Sequence, residues 1–220
     1  MAYITIREFG EDEFIEKKSQ FIGYAKRCES EEEAKAFVLE IKNNHKQATH
    51  NCWAYTVGKN MGIQRYSDDG EPQGTAGIPI LEVMKKSNVT DCAIVVTRYY
   101  GGILLGTGGL TRAYTKGAAI ALKAGGVVEK VDGVKLSFHM EYDMLGKIQY
   151  ICGQNLWHIE DTEYSDKVIV HVLAEVCKVE EIEKKMTESS SGKIETTKSE
   201  EGIYFKEENR LFKVIYTILN

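Results

Sequence analysis

The chain has 220 residues, 28 Lys and Arg against 33 Asp and Glu for a net charge of −5, and 43% hydrophobic residues. This composition excludes a disordered, collagen-like or uniformly basic nucleic-acid-binding chain, and no run of about 18 apolar residues is present to cross a membrane. Five widely spaced cysteines without a C-x-x-C argue against a disulfide framework or a zinc ribbon, and the opening Met1-Ala2-Tyr3-Ile4 has no secretory character, so a cytoplasmic protein is expected.

In chain order, residues 13–28 read as two extended pieces carrying Phe14, Phe21, Ile22 and Tyr24. Ser30 and Glu33 then form a capping box ahead of a helix with Ala34, Phe37, Val38 and Ile41 on one face. Residues 50–58 alternate as a strand, with His50, Cys52 and Ala54 on one side and Trp53 and Tyr55 on the other. A second helix starts at Gly77-Ile78-Pro79 and turns Ile80, Leu81 and Met84 inward. Cys92–Val96 is a continuous apolar run, as in a strand covered on both faces. A third helix is expected from about Leu110 to Ala124, with a face of small residues that lets its backbone approach a sheet closely, and Gly125-Gly126 closes it.

Beyond Asp132-Gly133 the texture changes. Strand Val134–Tyr142, helix Met144–Asn155, hairpin Trp157–Tyr164 with Lys167–Ala174, charged helix Val179–Met186 and strand Ile194–Lys198 follow in β-α-β-β-α-β order, that of a ferredoxin-like unit. Ile203–Leu219 is a closing stretch, and Glu188–Glu201 reads as a solvated edge or loop. Two domains are therefore expected, 1–132 and 133–220. The first carries 17 basic and 17 acidic residues, the second 11 and 16, so the second holds the whole net charge. Any basic surface must be local and belongs to the first domain.

Three stretches carry residues suited to chemistry. Arg65 to Gly77 contains Asp68, Asp69 and Glu71 around an Asp-Gly turn. Such carboxylates serve a magnesium-type oxygen site or an acid–base pair, or else cap the next helix and pair with Arg65, Arg98 or Arg112. Thr97 to Arg112 links a buried strand to a helix through Gly101, Gly102, Gly106, Gly108 and Gly109. Left-handed glycines and a helix start converge backbone N–H groups on an anion, with Arg98 and Arg112 at hand; the other reading is tight turns and close packing alone. Neither G-x-x-x-x-G-K-[ST] nor G-x-G-x-x-G is present. In His50-Asn51-Cys52, imidazole and thiol share a face, as a nucleophilic pair or two metal ligands would; the alternative is a histidine hydrogen-bonded at the edge of a site.

His50-x-x-Trp53-Ala54-Tyr55, Ser67-Asp68-Asp69-Gly70-Glu71-Pro72-x-Gly74-Thr75-Ala76-Gly77-x-Pro79 and Val95-Val96-Thr97-Arg98-Tyr99-Tyr100-Gly101-Gly102-x-x-Leu105-Gly106-x-Gly108-Gly109-Leu110-x-Arg112-Ala113-Tyr114 together resemble the signature of the IMPACT family, in its small bacterial YigZ-like branch. The resemblance spans roughly residues 15–125. It implies an α+β protein: an N-terminal domain like domain 2 of ribosomal protein S5, then a ferredoxin-like C-terminal domain like the last domain of elongation factor G. Eukaryotic members regulate translation initiation and carry an additional N-terminal RWD domain, which is not expected here.

The expectation is a translation-associated regulator, non-enzymatic or weakly enzymatic. It would bind RNA or ribosomal components through Arg65, Arg98, Arg112 and the Gly101–Gly109 loop, with Tyr99 or Tyr100 stacking on a base. Asp68, Asp69 and Glu71 would orient the arginines or hold magnesium, with His50 and Thr75 in support; apart from such a magnesium ion, no cofactor is expected. The alternatives are a magnesium-dependent enzyme acting on a phosphorylated small molecule, and a protein-interaction module. No membrane partner is expected, and the sequence assigns no oligomeric state.

Overall fold

The computed structural model describes residues 2–214, which form two compact units, residues 3–128 and the chain from residue 129 onward. Among the described residues no helix is long and apolar enough to cross a membrane.

In the first unit, β1 (Tyr3–Ile6) precedes a hairpin of β2 (Gly10–Glu16) and β3 (Ser19–Arg27). Then come α1 (Glu31–Asn44), β4 (His50–Val57), β5 (Ile63–Ser67), α2 (Gly77–Lys86), β6 (Cys92–Tyr99) and α3 (Thr107–Gly125). The sheet runs β2-β3-β6-β4-β5, and every neighbouring pair is antiparallel. Strand alternation divides its side chains between two cores. Tyr24, Tyr55, Ala93 and Val95 meet Phe37, Val38 and Ile41 of α1, whereas Phe21, Cys52, Ile94 and Val96 meet Ile80 and Met84 of α2 and Leu110 and Tyr114 of α3. The central strand β6 is thus buried on both faces. Ser30 caps α1 by accepting from the Glu33 N–H at 3.1 Å, while the Glu33 carboxylate accepts from the Glu29 N–H.

α3 begins at Thr107, three residues before the sequence places it, because Gly106 serves as its N-cap with φ +72°. Thr-Gly-Gly is a poor helix-forming run, which hides this first turn from periodicity. The helix lies close against the sheet. A Cβ on Gly23 would come within 2.2 Å of the Gly117 carbonyl oxygen, and one on Gly10 within 2.3 Å of the Gly125 nitrogen.

β7 (Val127–Met140) runs unbroken through Asp132-Gly133. The expected boundary therefore falls inside a strand, and the two units divide four residues earlier, at 128/129. Gly133 has a packing reason rather than a turn reason: a Cβ there would meet the Tyr204 ring at 2.7 Å. α4 (Leu145–Gln154), β8 (Ile159–Tyr164), β9 (Val168–Glu175), α5 (Val179–Ser190) and β10 (Glu195–Lys198) complete a βαββαβ unit. Its sheet order is β10-β7-β9-β8, the fourth-first-third-second order of a ferredoxin-like fold. Ile148 and Cys152 of α4 and Ile182 and Met186 of α5 cover Leu136, Phe138, Val170 and Val172.

The segment 188–201 is a solvated edge rather than a loop: it contains the end of α5 and all of β10, a largely exposed strand paired along β7. The closing stretch is a hairpin, β11 (Gly202–Glu207) and β12 (Arg210–Lys213), with β11 paired along the first part of β7. The rest of that predicted stretch, from residue 215, lies outside the described residues.

Candidate functional site

The acidic turn is built into the start of α2. Asp68 accepts from three backbone N–H groups, with Oδ1 on Ala76 and Gly77 at 3.0 and 2.9 Å and Oδ2 on Gly74 at 2.9 Å. It supplies the cap that Ala76, at the N-cap position, lacks. Asp69, at φ +46°, accepts from Lys42 Nζ at 2.6 Å and from the Asn51 N–H at 2.7 Å. Glu71 is buried, and its Oε1 accepts from Arg98 Nη1 at 2.6 Å and from the Tyr114 hydroxyl at 2.8 Å. Thr75, also buried, donates to the Pro72 carbonyl at 2.6 Å. The three carboxylates thus point to three separate sets of partners, and the described residues contain no group of three His, Cys, Asp or Glu suited to hold a metal ion. The magnesium site and the magnesium-dependent enzyme draw no support from this geometry.

His50 and Cys52 share a face but do not form a pair. His50 Nδ1 lies 2.8 Å from the Asp69 carbonyl oxygen. A carbonyl only accepts, so Nδ1 carries the proton and Nε2 faces Glu71 Oε1 at 3.9 Å. Cys52 Sγ donates to the Asp68 carbonyl at 2.9 Å. Burial pushes the Cys52 thiol well above its ordinary range, the opposite of what a nucleophile needs. Burial, the neighbouring thiol and the Glu71 carboxylate likewise raise the Tyr114 phenol, which stays a donor.

The arginines do not converge. Arg98 is 5% exposed, held by Glu71 and flanked by the rings of Phe21 and Tyr100 at 5.5 and 5.3 Å. Its Nε is buried without a hydrogen-bond partner, a cost that the two aromatic faces partly offset. Arg65 stands opposite Tyr55 on β5 and reaches Glu31 of α1 at 4.0 Å, across the sheet from Arg98. Tyr99 also points toward α1, in a chain from its hydroxyl to His45 Nδ1 at 2.9 Å and from His45 Nε2 to the Tyr24 hydroxyl at 2.7 Å. Neither Arg65 nor Tyr99 can share a ligand with Arg98.

Arg112 is different: it is exposed and makes no hydrogen bond or ion pair among the described residues. The glycines before it divide by role. Gly102 and Gly106 have φ of +83° and +72° with open space around them, whereas a Cβ on Gly101 would lie 2.0 Å from the Lys18 carbonyl carbon. Gly108 sits beneath the Arg112 guanidinium, and Gly109 packs on Leu105. No side chain caps α3, so its first N–H groups remain open to an anion.

Gly101 also locates residues that sequence reasoning missed. It presses on the β2–β3 turn, where Lys17 and Lys18 occupy left-handed φ of +44° and +63°. A two-residue turn of this kind favours Asn-Gly, and an L residue in this region costs roughly 1–2 kcal/mol. Lys17 lines a cleft of about 200 Å³ together with Arg112 and Lys116 of α3. The sequence signals were Lys-Lys in a turn position and the i,i+4 spacing of Arg112 and Lys116; Lys17 and Arg112 are 95 positions apart.

An antiparallel sheet with helices on both faces, an acidic turn capping α2 and a glycine loop opening α3 define the first unit, and this architecture has known relatives. Residues 17–122 match the Impact N-terminal domain, and residues 138–193 match a domain of unknown function, DUF1949. The IMPACT family member YvyE of Bacillus subtilis strain 168 is 41% identical over 199 residues, covering 90% of this chain and 92% of that one. Escherichia coli K12 YigZ, another member, is 38% identical over 187 residues, covering 84% and 92%. A crystal structure titled as a hypothetical protein is 34% identical, with a TM-score of 0.57 over 90% of this chain and 98% of that one. The chain belongs to the IMPACT family.

Proposed function

We propose that this protein is a translation-associated regulator whose first unit contacts RNA or ribosomal components through the Gly101–Gly109 loop and the opening turns of α3. The family resemblance supports the link to translation. The observation that carries the contact is Arg112, a solvent-facing guanidinium without a partner beside an uncapped helix start that Gly108 and Gly109 leave open. Tyr100, 44% exposed at the head of the loop, offers an aromatic face for a base. Arg65, Arg98 and Tyr99 leave the proposed surface, since each is committed elsewhere.

Binding of the full chain to a single-stranded RNA across a salt series tests this reading. Affinity is expected to fall steeply with salt, and Arg112→Ala to weaken binding and flatten the log–log slope by about 0.7, the share of one phosphate contact. An unchanged slope in the variant, or no binding at low salt, removes the proposal. A second reading, docking of a protein partner, is favoured by the same loop: Ile103 and Leu104 are 40% and 80% exposed. Substituting Leu104 with Ser should leave RNA affinity intact under the first reading and abolish partner capture under the second.

A further inference from the structure

We infer that the cleft between the β2–β3 turn and α3 is a binding site for a single phosphate group, held by Lys17, Arg112 and Lys116. This deepens the RNA reading and rests on it for the source of the phosphate, though not for the chemistry of the cleft.

Like charges are crowded where separation would be cheaper. Arg112 and Lys116 stand one helical turn apart on the same face of α3, and Lys17 reaches the same cleft from the opposite wall. Glu16 is the single carboxylate in the lining, which leaves the cleft with an excess of two positive charges. Neither Lys17 nor Arg112 is engaged in an ion pair or a hydrogen bond among the described residues. Lys116 Nζ rests 4.2 Å above the Phe14 ring, which is itself stacked on Phe21 at 5.2 Å, so its ammonium is held in place without being neutralised. The floor is apolar, from Phe14 and Leu105. This excess of positive charge is what an anion would balance.

The backbone supports the same conclusion. Lys17 and Lys18 adopt the turn conformation that asparagine and glycine adopt at lower cost, and Gly101 fixes the turn from behind. Strain kept at a charged position points to a use for the charge. The cleft volume of about 200 Å³ accommodates a phosphate with its hydrogen-bonding shell.

The test titrates inorganic phosphate into the full chain and follows backbone amide shifts by NMR. The comparison variants are Lys17→Asn/Lys18→Gly, which relieves the turn, and Arg112→Gln/Lys116→Gln. Shifts centred on Lys17, Gly109 and Arg112, with affinity weakened about tenfold or more in both variants, are expected for charge-assisted contacts. Because the first variant should melt at a higher temperature, weaker binding in it cannot be ascribed to unfolding. Shifts spread over unrelated lysines, or equal affinity in the variants, overturn the inference. The RNA of the preceding test, run on the same variants, separates the two proposals. RNA weakened by Arg112→Gln/Lys116→Gln but bound equally by wild type and Lys17→Asn/Lys18→Gly, with phosphate affinity unchanged in the latter, overturns the cleft and leaves the RNA reading standing; phosphate held without RNA binding does the reverse.

Discussion

At the scale of single residues, the centre of the first unit is an ion pair taken out of water. Glu71 and Arg98 are 3% and 6% exposed at their side chains and 2.6 Å apart. Removing one partner leaves the other buried and uncompensated, so Glu71→Gln or Arg98→Met should each cost about 3–5 kcal/mol, while the double substitution costs less than the two single costs added together. Urea denaturation of the four proteins measures this coupling. Loss of function in an Arg98 variant therefore reports on folding before it reports on ligand binding. The thiols make a second residue-level case. Burial raises Cys28 to about 12 and Cys152 to about 11, and also raises Cys52 and Cys92, whereas Cys177 is exposed. An aromatic disulfide reagent at pH 8 should titrate one thiol in the native protein and five after denaturation; rapid modification of Cys52 would contradict its place under the Asp68 carbonyl.

Among the elements, α3 and the sheet meet through glycine on both sides, at Gly10 with Gly125 and Gly23 with Gly117. Gly23→Ala drives a methyl against a backbone carbonyl that cannot rotate away, so a loss of about 3 kcal/mol or more is expected in thermal or urea melts. Gly102→Ala meets no atom and carries only the cost of its left-handed backbone. The small-residue face of α3 was readable because helical periodicity survives in Leu110, Ala113, Tyr114, Gly117, Ala118 and Ala121. The same reading missed the turn from Thr107, where composition opposes the helix and only tertiary packing supports it. It also took Asp132-Gly133 for a break, because a glycine selected for closeness to Tyr204 has the same letter as one selected for a turn. The acidic stretch was legible as a turn and cap, since those signals are local. Which arginine faced which carboxylate was not, because strand register sets it: Tyr55 opposite Arg65 and His50 opposite Arg98 put the two guanidinium groups on opposite sides of one sheet. That Lys17 and Lys116 line one cleft is equally invisible in the sequence, since only the tertiary fold sets it.

For the whole molecule, charge and acid sensitivity are unevenly shared. The 33 acidic residues outnumber the basic ones only beyond residue 132, so electrostatic attraction of polyanions falls to the first unit. In the second, burial and then Arg210 lower the His158 proton affinity below the ordinary histidine value. The unfolded chain then binds the proton more readily, and stability is lost as pH falls through the ordinary histidine range from about 7 toward 5.5. His158→Gln should flatten that part of the stability profile of the second unit, as followed by Trp157 fluorescence during urea melts. One strand ties these properties to the order in which the chain is made. The first part of β7 pairs with β11, so Gly133 waits for Gly202 and Glu129 for Lys206. During synthesis every element of the first sheet has left the ribosome well before this partner is translated, and the early edge of β7 stays unpaired until the closing hairpin emerges. A message truncated just before codon 202 would therefore yield a finished first unit joined to an open β-edge, a product more prone to aggregate than to persist.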